Sequence, residues 1–222
     1  MGITAIITAG GASLRFGNTN KLLEKIYSKA VIKYTVEAFL SVKEIDEIII
    51  STNISIIEEV KQIFKKDKRV RIIFGGETRQ KSVSNGLRVC ENADYVLIHD
   101  GARPMISPEK IRQAIEMVKE KKALTVATRT IDTIKQVDEN LKIIKTIDRS
   151  SLFNTQTPQA FQYDLIKNAH QQLEGENFTD DAGMLEFLGE NVYILEGDYR
   201  NIKITTQSDI ELAKIYLDNK YC

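Results

Sequence analysis

Short runs of β-branched residues alternate along the chain with stretches in which apolar residues recur three and four apart. That alternation is the signature of parallel strands joined by crossover helices, an α/β fold. Strands are expected at Ile3–Thr8, Ile45–Ser51, Val70–Phe74, Tyr95–Asp100 and Ala123–Thr128, with helices between them at Ala30–Leu40, Ile54–Lys66, Lys81–Val89 and Ser107–Lys121. The last of these helices carries its own start signal, Ser107 as N-cap and Pro108 at the first helical position. The pattern then changes. Ile131 to Ile147 alternates Thr, Ile, Lys, Val and Leu about Asp138-Glu139-Asn140, which reads as a two-stranded ribbon, an arm at about 131–150. A lone hairpin is marginal in water, so the arm needs something to lie against, and a second copy of the chain is the expected partner. Helical spacing returns at Tyr163–Leu173 and Asp180–Leu188, and strands are expected at Val192–Glu196 and Ile202–Thr205. Ser208 with Glu211 reads as a capping box opening a final helix that runs to about Leu217.

Composition narrows the function classes. With 222 residues, 42% hydrophobic and 28% charged, the chain has apolar material for one full-sized core, so a single domain over 1–222 is expected. Thirty-one Lys plus Arg balance thirty-one Asp plus Glu. A chain of zero net charge has no overall field to hold nucleic acid or an acidic membrane, and any anion site must be local. The longest apolar runs, such as Ile3–Ile7, fall far short of the roughly 18 residues a bilayer span needs. No basic-then-apolar leader is read, so a cytoplasmic location is expected. Cys90 and Cys222 form neither a disulfide framework nor a metal spacing, and His99 and His170 stand apart from both, which argues against zinc.

In an open parallel sheet the ligand crevice lies beyond the carboxyl ends of the strands. The segments to read are therefore Thr8–Gly17, Gly75–Arg79, His99–Pro104, Thr128–Thr133 and Asn201–Thr205. In the first, adjacent glycines and the absence of bulky side chains let backbone N–H groups approach a polyphosphate, with Arg15 and Lys21 adding positive charge. It is neither a Walker A loop nor the dinucleotide fingerprint, whose glycine spacings it lacks, and Ser51-Thr52 stands where a ribose-binding acid would be.

Asp100 ends an apolar strand, where a carboxylate is costly to hold unpaired, beside the open space of Gly101-Ala102. A Mg²⁺ bridging phosphate oxygens suits both facts; so does an ion pair with Arg103. His99, on the opposite face by period two, reads as a packing residue. Arg79 and Ser82 offer a guanidinium, a hydroxyl and a helix N-terminus to an anion or a base edge. Lys203 alternates with Ile202 and Ile204, which fits a crevice position or a solvent face. Arg149 beside Asp148 fits a surface ion pair. Asp132 fits a second carboxylate at the metal or the turn into the arm.

Taken in order, Gly75-Gly-Glu-Thr-Arg79, His99-Asp-Gly-Ala-Arg-Pro104, Thr157-Pro-Gln159, Thr179-Asp-Asp-Ala182 and Asn201-Ile-Lys-Ile-Thr205 resemble the 2-C-methyl-D-erythritol 4-phosphate cytidylyltransferases over essentially the whole length. The resemblance implies a Rossmann-like nucleotidyltransferase fold, Mg²⁺ dependence and a homodimer made through exchanged arms. It implies that Arg15 and Lys21 stabilise charge on the α-phosphate of CTP and that Ala9, Gly10, Gly11, Ala12 and Ser13 wrap the triphosphate. Gly76, Arg79, Ser82, Gly101 and Ala102 match positions around the cytidine, and Asp100 matches the carboxylate at the metal. Arg149 and Lys203 match the basic residues that hold methylerythritol phosphate, with Thr133, Thr157 and Thr179 as neighbouring polar contacts. The arm residues Thr133 and Arg149 would reach the partner's site. The chain departs from the family pattern at Leu14, Phe16 and Asn20, and at Ser28-Lys-Ala30, where Gly-Lys-Pro is expected.

The expected activity is transfer of CMP from CTP to methylerythritol phosphate in the non-mevalonate isoprenoid route. Its rivals are a ribitol 5-phosphate or related pentitol-phosphate cytidylyltransferase and, in another class, a nucleotide-binding module without turnover. A nicotinamide-dependent oxidoreductase lacks the glycine spacing and the ribose acid.

Overall fold

The β-branched runs form six strands of a seven-stranded sheet, in a computed structural model that describes residues 1–10 and 20–218. The elements, in order, are β1 (Ile3–Ala9), β2 (Lys25–Ile26), β3 (Lys29–Ala30), α1 (Val31–Leu40), β4 (Glu47–Thr52), α2 (Ile57–Phe64), β5 (Val70–Phe74), α3 (Arg79–Val89) and β6 (Tyr95–Asp100). Then come α4 (Pro108–Lys121), β7 (Ala123–Arg129), β8 (Ile134–Val137), β9 (Ile143–Ile147), a 3₁₀ turn (Arg149–Ser151), β10 (Phe153–Gln162), α5 (Tyr163–Gln172), α6 (Asp181–Phe187), β11 (Tyr193–Glu196) and α7 (Gln207–Asp218). The expected residues Gly11, Ala12, Ser13, Arg15, Leu14, Phe16 and Cys222 lie outside the described residues.

The sheet order is β11-β7-β10-β6-β1-β4-β5. β1 pairs in parallel with β4 and β6, β4 with β5, and β7 with β11. Period two along β1 sends Ile3, Ala5 and Ile7 to one face, where α1, α2 and α4 pack, and Ile6 to the other, with Val83, Leu87, Phe161 and Ile166 from α3, β10 and α5. Burial on both faces is why β1, β4, β6 and β7 read as continuous apolar runs.

Three expectations need correcting. The pattern did not show β10, which runs antiparallel between β6 and β7. Its buried residues include Gln156, Thr157 and Gln159, so no apolar alternation marks it, and Pro158 stands where its register against β7 shifts. Ile202–Thr205 is not a strand: Ile204 N–H donates to Ala102 O at 2.8 Å, and its side chain enters a small cluster with Ile26, Val31, Met105, Ile210 and Ala213. That cluster fixes the segment carrying Lys203. The capping box stands two residues earlier than expected, where Asp209 Oδ2 accepts from Thr206 N–H and Thr206 Oγ1. Glu211 pairs instead with Lys214.

β8 and β9 pair in the expected ribbon, Ile134 opposite Ile147, closed by a turn in which Asp138 Oδ1 accepts from Asn140 and Lys142 N–H. The ribbon leaves Val137, Leu141, Ile143 and Ile144 exposed in the single chain.

Candidate active site

The carboxyl ends of β1 and β6, the first turn of α3 and the segment before α7 open onto one hollow. β1 contributes Ala9 and Gly10, β6 contributes Asp100 with Ala102 beyond it, α3 contributes Arg79 and Ser82, and Lys21 and Lys203 close the rim. Residues scattered from 9 to 203 in sequence therefore share a single space.

Close backbone approach shapes two walls. A Cβ on Gly76 would collide with the Lys81 side chain, and one on Gly101 would stand 3.0 Å from Thr8 O. Thr78 caps α3 by accepting from Lys81 N–H at 3.0 Å. Ser82 Oγ accepts Gly76 N–H at 3.0 Å and donates to Thr78 O at 2.9 Å, tying the glycine turn onto the helix start.

Asp100 is the electrostatic centre. Lys203 Nζ lies 2.8 Å from its Oδ2, Arg79 Nε 3.3 Å from its Oδ1 and Arg103 Nε 3.5 Å from its Oδ2. The Arg103 pair weighed in the sequence is therefore present, with two further cations beside it. Burial pushes the Asp100 carboxyl up, but Lys203, Arg79 and Arg103 together overcome it and hold it well below the usual carboxylate range. Burial outweighs Asp100 at Arg103 and lowers that guanidinium's pKa.

Behind the carboxylate runs a buried polar chain. Asp100 N–H donates to Thr157 Oγ1 at 3.1 Å, and Thr157 Oγ1 lies 2.9 Å from His99 Nδ1. His99 Nε2 faces Arg103 O at 3.2 Å, a carbonyl that can only accept, so Nε2 carries the proton, Nδ1 accepts, and the Thr157 hydroxyl donates to it. Burial lowers the His99 pKa to about 3, which agrees with this neutral tautomer, and the ring packs at 5.0 Å from Phe39. His99 is the packing residue its alternation predicts.

Ala9, Gly10, Lys21, Arg79, Ser82, Asp100, Ala102 and Lys203 thus line the hollow, with Gly76 and Gly101 in its adjoining turns. Thr157 lies beneath it, 5% exposed. Thr179 is exposed just before α6. Thr133 and Arg149 belong to the arm and are exposed, the Arg149 guanidinium donating to Ile131 O, and they do not line their own chain's hollow.

The sequence reading passed over Asp181, His170 and Gln159. Arg79 Nη1 donates to Asp181 Oδ2 at 2.7 Å, His170 Nε2 lies 3.0 Å from Asp181 Oδ1, and Gln159 Oε1 accepts Asp181 N–H at 3.0 Å. Burial raises the Asp181 carboxyl, but Arg79 and His170 bring it below the usual range. The signal was the pair of acids in Thr179-Asp-Asp-Ala182 opening a helix, of which only the threonine was taken. Cys90 is chemically quiet: burial pushes its thiol up to about 12.

Comparison with known proteins agrees with the geometry. The family model described as 2-C-methyl-D-erythritol 4-phosphate cytidylyltransferase matches residues 3–219. Curated relatives of that name are 41% identical in Clostridium botulinum, over 98% of this chain and 100% of theirs, and 40% identical in Clostridium tetani, over 96% and 89%. The crystal structure of the 4-diphosphocytidyl-2C-methyl-D-erythritol synthase from Anaerococcus prevotii superposes with a TM-score of 0.88 at 36% identity, covering 98% of each chain. The cytidylyltransferase of Francisella tularensis does so at 0.82 and 31% identity, over 97% of this chain and 99% of that one. With its mostly parallel sheet and the basic hollow at the strand ends, the chain belongs to the 2-C-methyl-D-erythritol 4-phosphate cytidylyltransferase family.

Proposed function

We propose that this chain transfers CMP from CTP to 2-C-methyl-D-erythritol 4-phosphate and releases pyrophosphate, a step of the non-mevalonate route to isoprenoid precursors. The observation that carries the reading is the convergence of Arg79 and Lys203 on Asp100 around one hollow that Lys21 and the Ala9-Gly10 backbone also line.

A phosphate oxygen of the acceptor attacks the α-phosphorus in line, the new P–O bond forms and the bond to the β-phosphate oxygen breaks. Such transfer needs positioning and charge neutralisation more than covalent help. Lys21, with Arg15, neutralises charge growing on the α-phosphate. Ala9, Gly10, Gly11, Ala12 and Ser13 serve the triphosphate, and Gly76, Arg79, Ser82, Gly101 and Ala102 surround the cytidine. Lys203 holds the acceptor phosphate. Thr179 lies on the acceptor side, while Thr157 acts from beneath by fixing the Asp100 backbone.

Magnesium commonly binds through one or two carboxylates, keeping water and substrate phosphate for its other positions. Asp100, a hard oxygen donor at the hollow, would be the protein ligand of an ion shared with the substrate. Such an ion would supply positive charge that offsets the phosphates.

The exposed apolar arm belongs to a homodimer interface in this proposal, and Thr133 and Arg149 serve the partner's site. The protein works in the cytoplasm, with no nucleic acid or membrane partner; among the described residues no helix is long and apolar enough to cross a membrane.

Pyrophosphate release measured with CTP, UTP, ATP and GTP against methylerythritol and ribitol phosphates tests the reading. Release with CTP and methylerythritol phosphate is expected. Preference for ribitol 5-phosphate would make the chain a pentitol-phosphate enzyme, and CTP binding without release would make it a nucleotide-binding module.

A further inference from the structure

Arg79 is claimed by two carboxylates, and the one outside the hollow holds it more closely. Its Nη1 stands 2.7 Å from Asp181 Oδ2, whereas its Nε stands 3.3 Å from Asp100 Oδ1. A guanidinium is a rigid planar fork, so fixing Nη1 and Nε fixes the direction of the third nitrogen. That third nitrogen, Nη2, is buried and has no hydrogen-bond partner among the described residues. It is a donor in a residue that lines the crevice, left for an acceptor that the described residues do not supply.

The aim of Arg79 rests on Asp181, and the aim of Asp181 rests on α5. Its side chain is 1% exposed, and its Oδ1 is 3.0 Å from Nε2 of His170, itself 3% exposed. Asp181 is held ionised, so it accepts, and His170 donates Nε2–H. The other ring nitrogen, Nδ1, is buried without a hydrogen-bond partner among the described residues. A buried unsatisfied nitrogen is costly, and an apolar side chain would fill the same space without that cost. What the imidazole supplies in exchange is the bond to Asp181.

We infer that His170 is a positioning residue for nucleotide binding, acting through Asp181 to hold Arg79 so that its Nη2 meets an acceptor on the cytidine. The inference rests on the function proposed above for its ligand, and on the His170–Asp181–Arg79 chain for its geometry.

Three variants test it. In His170→Gln the amide nitrogen falls where Nε2 stood and can still donate to Asp181. In His170→Asn the amide nitrogen falls where Nδ1 stood, facing no partner. His170→Leu removes the donor. The readouts are the dissociation constant of CTP by calorimetry, KM for CTP and for the acceptor separately, and the melting temperature of each variant. We expect His170→Gln to bind CTP within about threefold of the native chain, and Asn and Leu to bind it about tenfold more weakly, the worth of one charge-assisted hydrogen bond. KM for the acceptor stays unchanged in all three. A role in packing alone would weaken Gln and Asn equally, and that result overturns the inference, as does native affinity in the leucine variant. Should leucine fail to fold, the comparison of Gln with Asn decides. A native chain that binds CTP yet releases no pyrophosphate refutes the proposed transfer and leaves the Gln-against-Asn difference in binding to decide the inference.

Discussion

Asp100→Asn keeps the shape of the side chain and removes the charge that three cations share. In the native chain Lys203 stands at 2.8 Å, Arg79 at 3.3 Å and Arg103 at 3.5 Å from that carboxylate. The losses are unequal. The Lys203 side chain is 41% exposed and can turn to water, while Arg79 keeps Asp181. The Arg103 side chain is 12% exposed; it keeps a hydrogen bond to Asn201 O at 2.8 Å but loses its carboxylate. Removing one member of a buried pair costs about 3–5 kcal/mol, and the two partners with alternatives reduce this to about 2–3 kcal/mol. For a chain of this length that is a melting temperature lower by about 5–10 °C at pH 7. The pH dependence has a definite sign. The folded carboxyl lies below its unfolded value, so its contribution is full above the unfolded pKa of about 3.9 and is lost as pH falls toward the folded one. The gap between native and variant chains should therefore narrow by about 1 kcal/mol at pH 3. Thermal melts of both chains from pH 7 down to pH 3 measure it. Equal melting temperatures at pH 7, or a gap that stays constant into acid, would refute the idea that the three cations hold this carboxylate ionised.

Lys21→Ala should lower turnover by two or more orders of magnitude with the fold intact, since lost transition-state contacts cost about 3–4 kcal/mol; near-normal pyrophosphate release would remove Lys21 from the mechanism. Thr157→Val leaves the Asp100 amide and His99 Nδ1 without the hydroxyl between them, and should cost about 2–3 kcal/mol in denaturant unfolding, with Thr157→Ser near the native value. Valine as stable as threonine would show the hydroxyl does not hold that chain. Ile143→Asp with Ile144→Asp charges two exposed residues of the arm, 57% and 58% exposed, and should give monomers in sedimentation together with a fall in turnover. A persisting dimer would place the interface elsewhere.

How much of this was legible depends on where the information sits. β1, β4, β6 and β7 are buried on both faces, and their apolar runs announce them without knowledge of the rest, while β5, half-buried at the sheet edge, is marked by its β-branched residues. β10 is also central, yet it buries Gln156, Thr157 and Gln159. Those polar side chains are there because partners from distant elements satisfy them: Gln156 donates to Asp198 O, and Gln159 donates to Thr125 and Asp180 while accepting from Asp181 and Ala182 N–H. A local window contains none of those partners, so no strand is read there. Lys203 presents the same difficulty in reverse. Its alternation with Ile202 and Ile204 suggested a strand, but Ile204 is buried by packing on α7 and the β2–β3 hairpin, and no ladder is involved. Its role became readable only through the segment Asn201-Ile-Lys-Ile-Thr205 as a unit.

Asp181 shows why charge pattern alone undershoots a site. In sequence it is one of two adjacent acids at a helix start, where an acid is favoured by the helix dipole whatever else it does. Asp180 does serve that end, accepting Gly183 N–H at 3.1 Å as N-cap. Asp181 faces inward to Arg79 and His170, and nothing in the spacing tells the two apart. The distinction is energetic. A buried carboxylate must be matched, and Asp100 and Asp181 together face Arg79, Arg103 and Lys203, so the centre carries an excess of positive charge in a chain whose total is zero. An anion entering the hollow meets cations already gathered by Asp100, and Lys203, the most exposed of the three, is the one that can leave the carboxylate for it. The carboxylate at the centre therefore assembles the basic site as well as neutralising it.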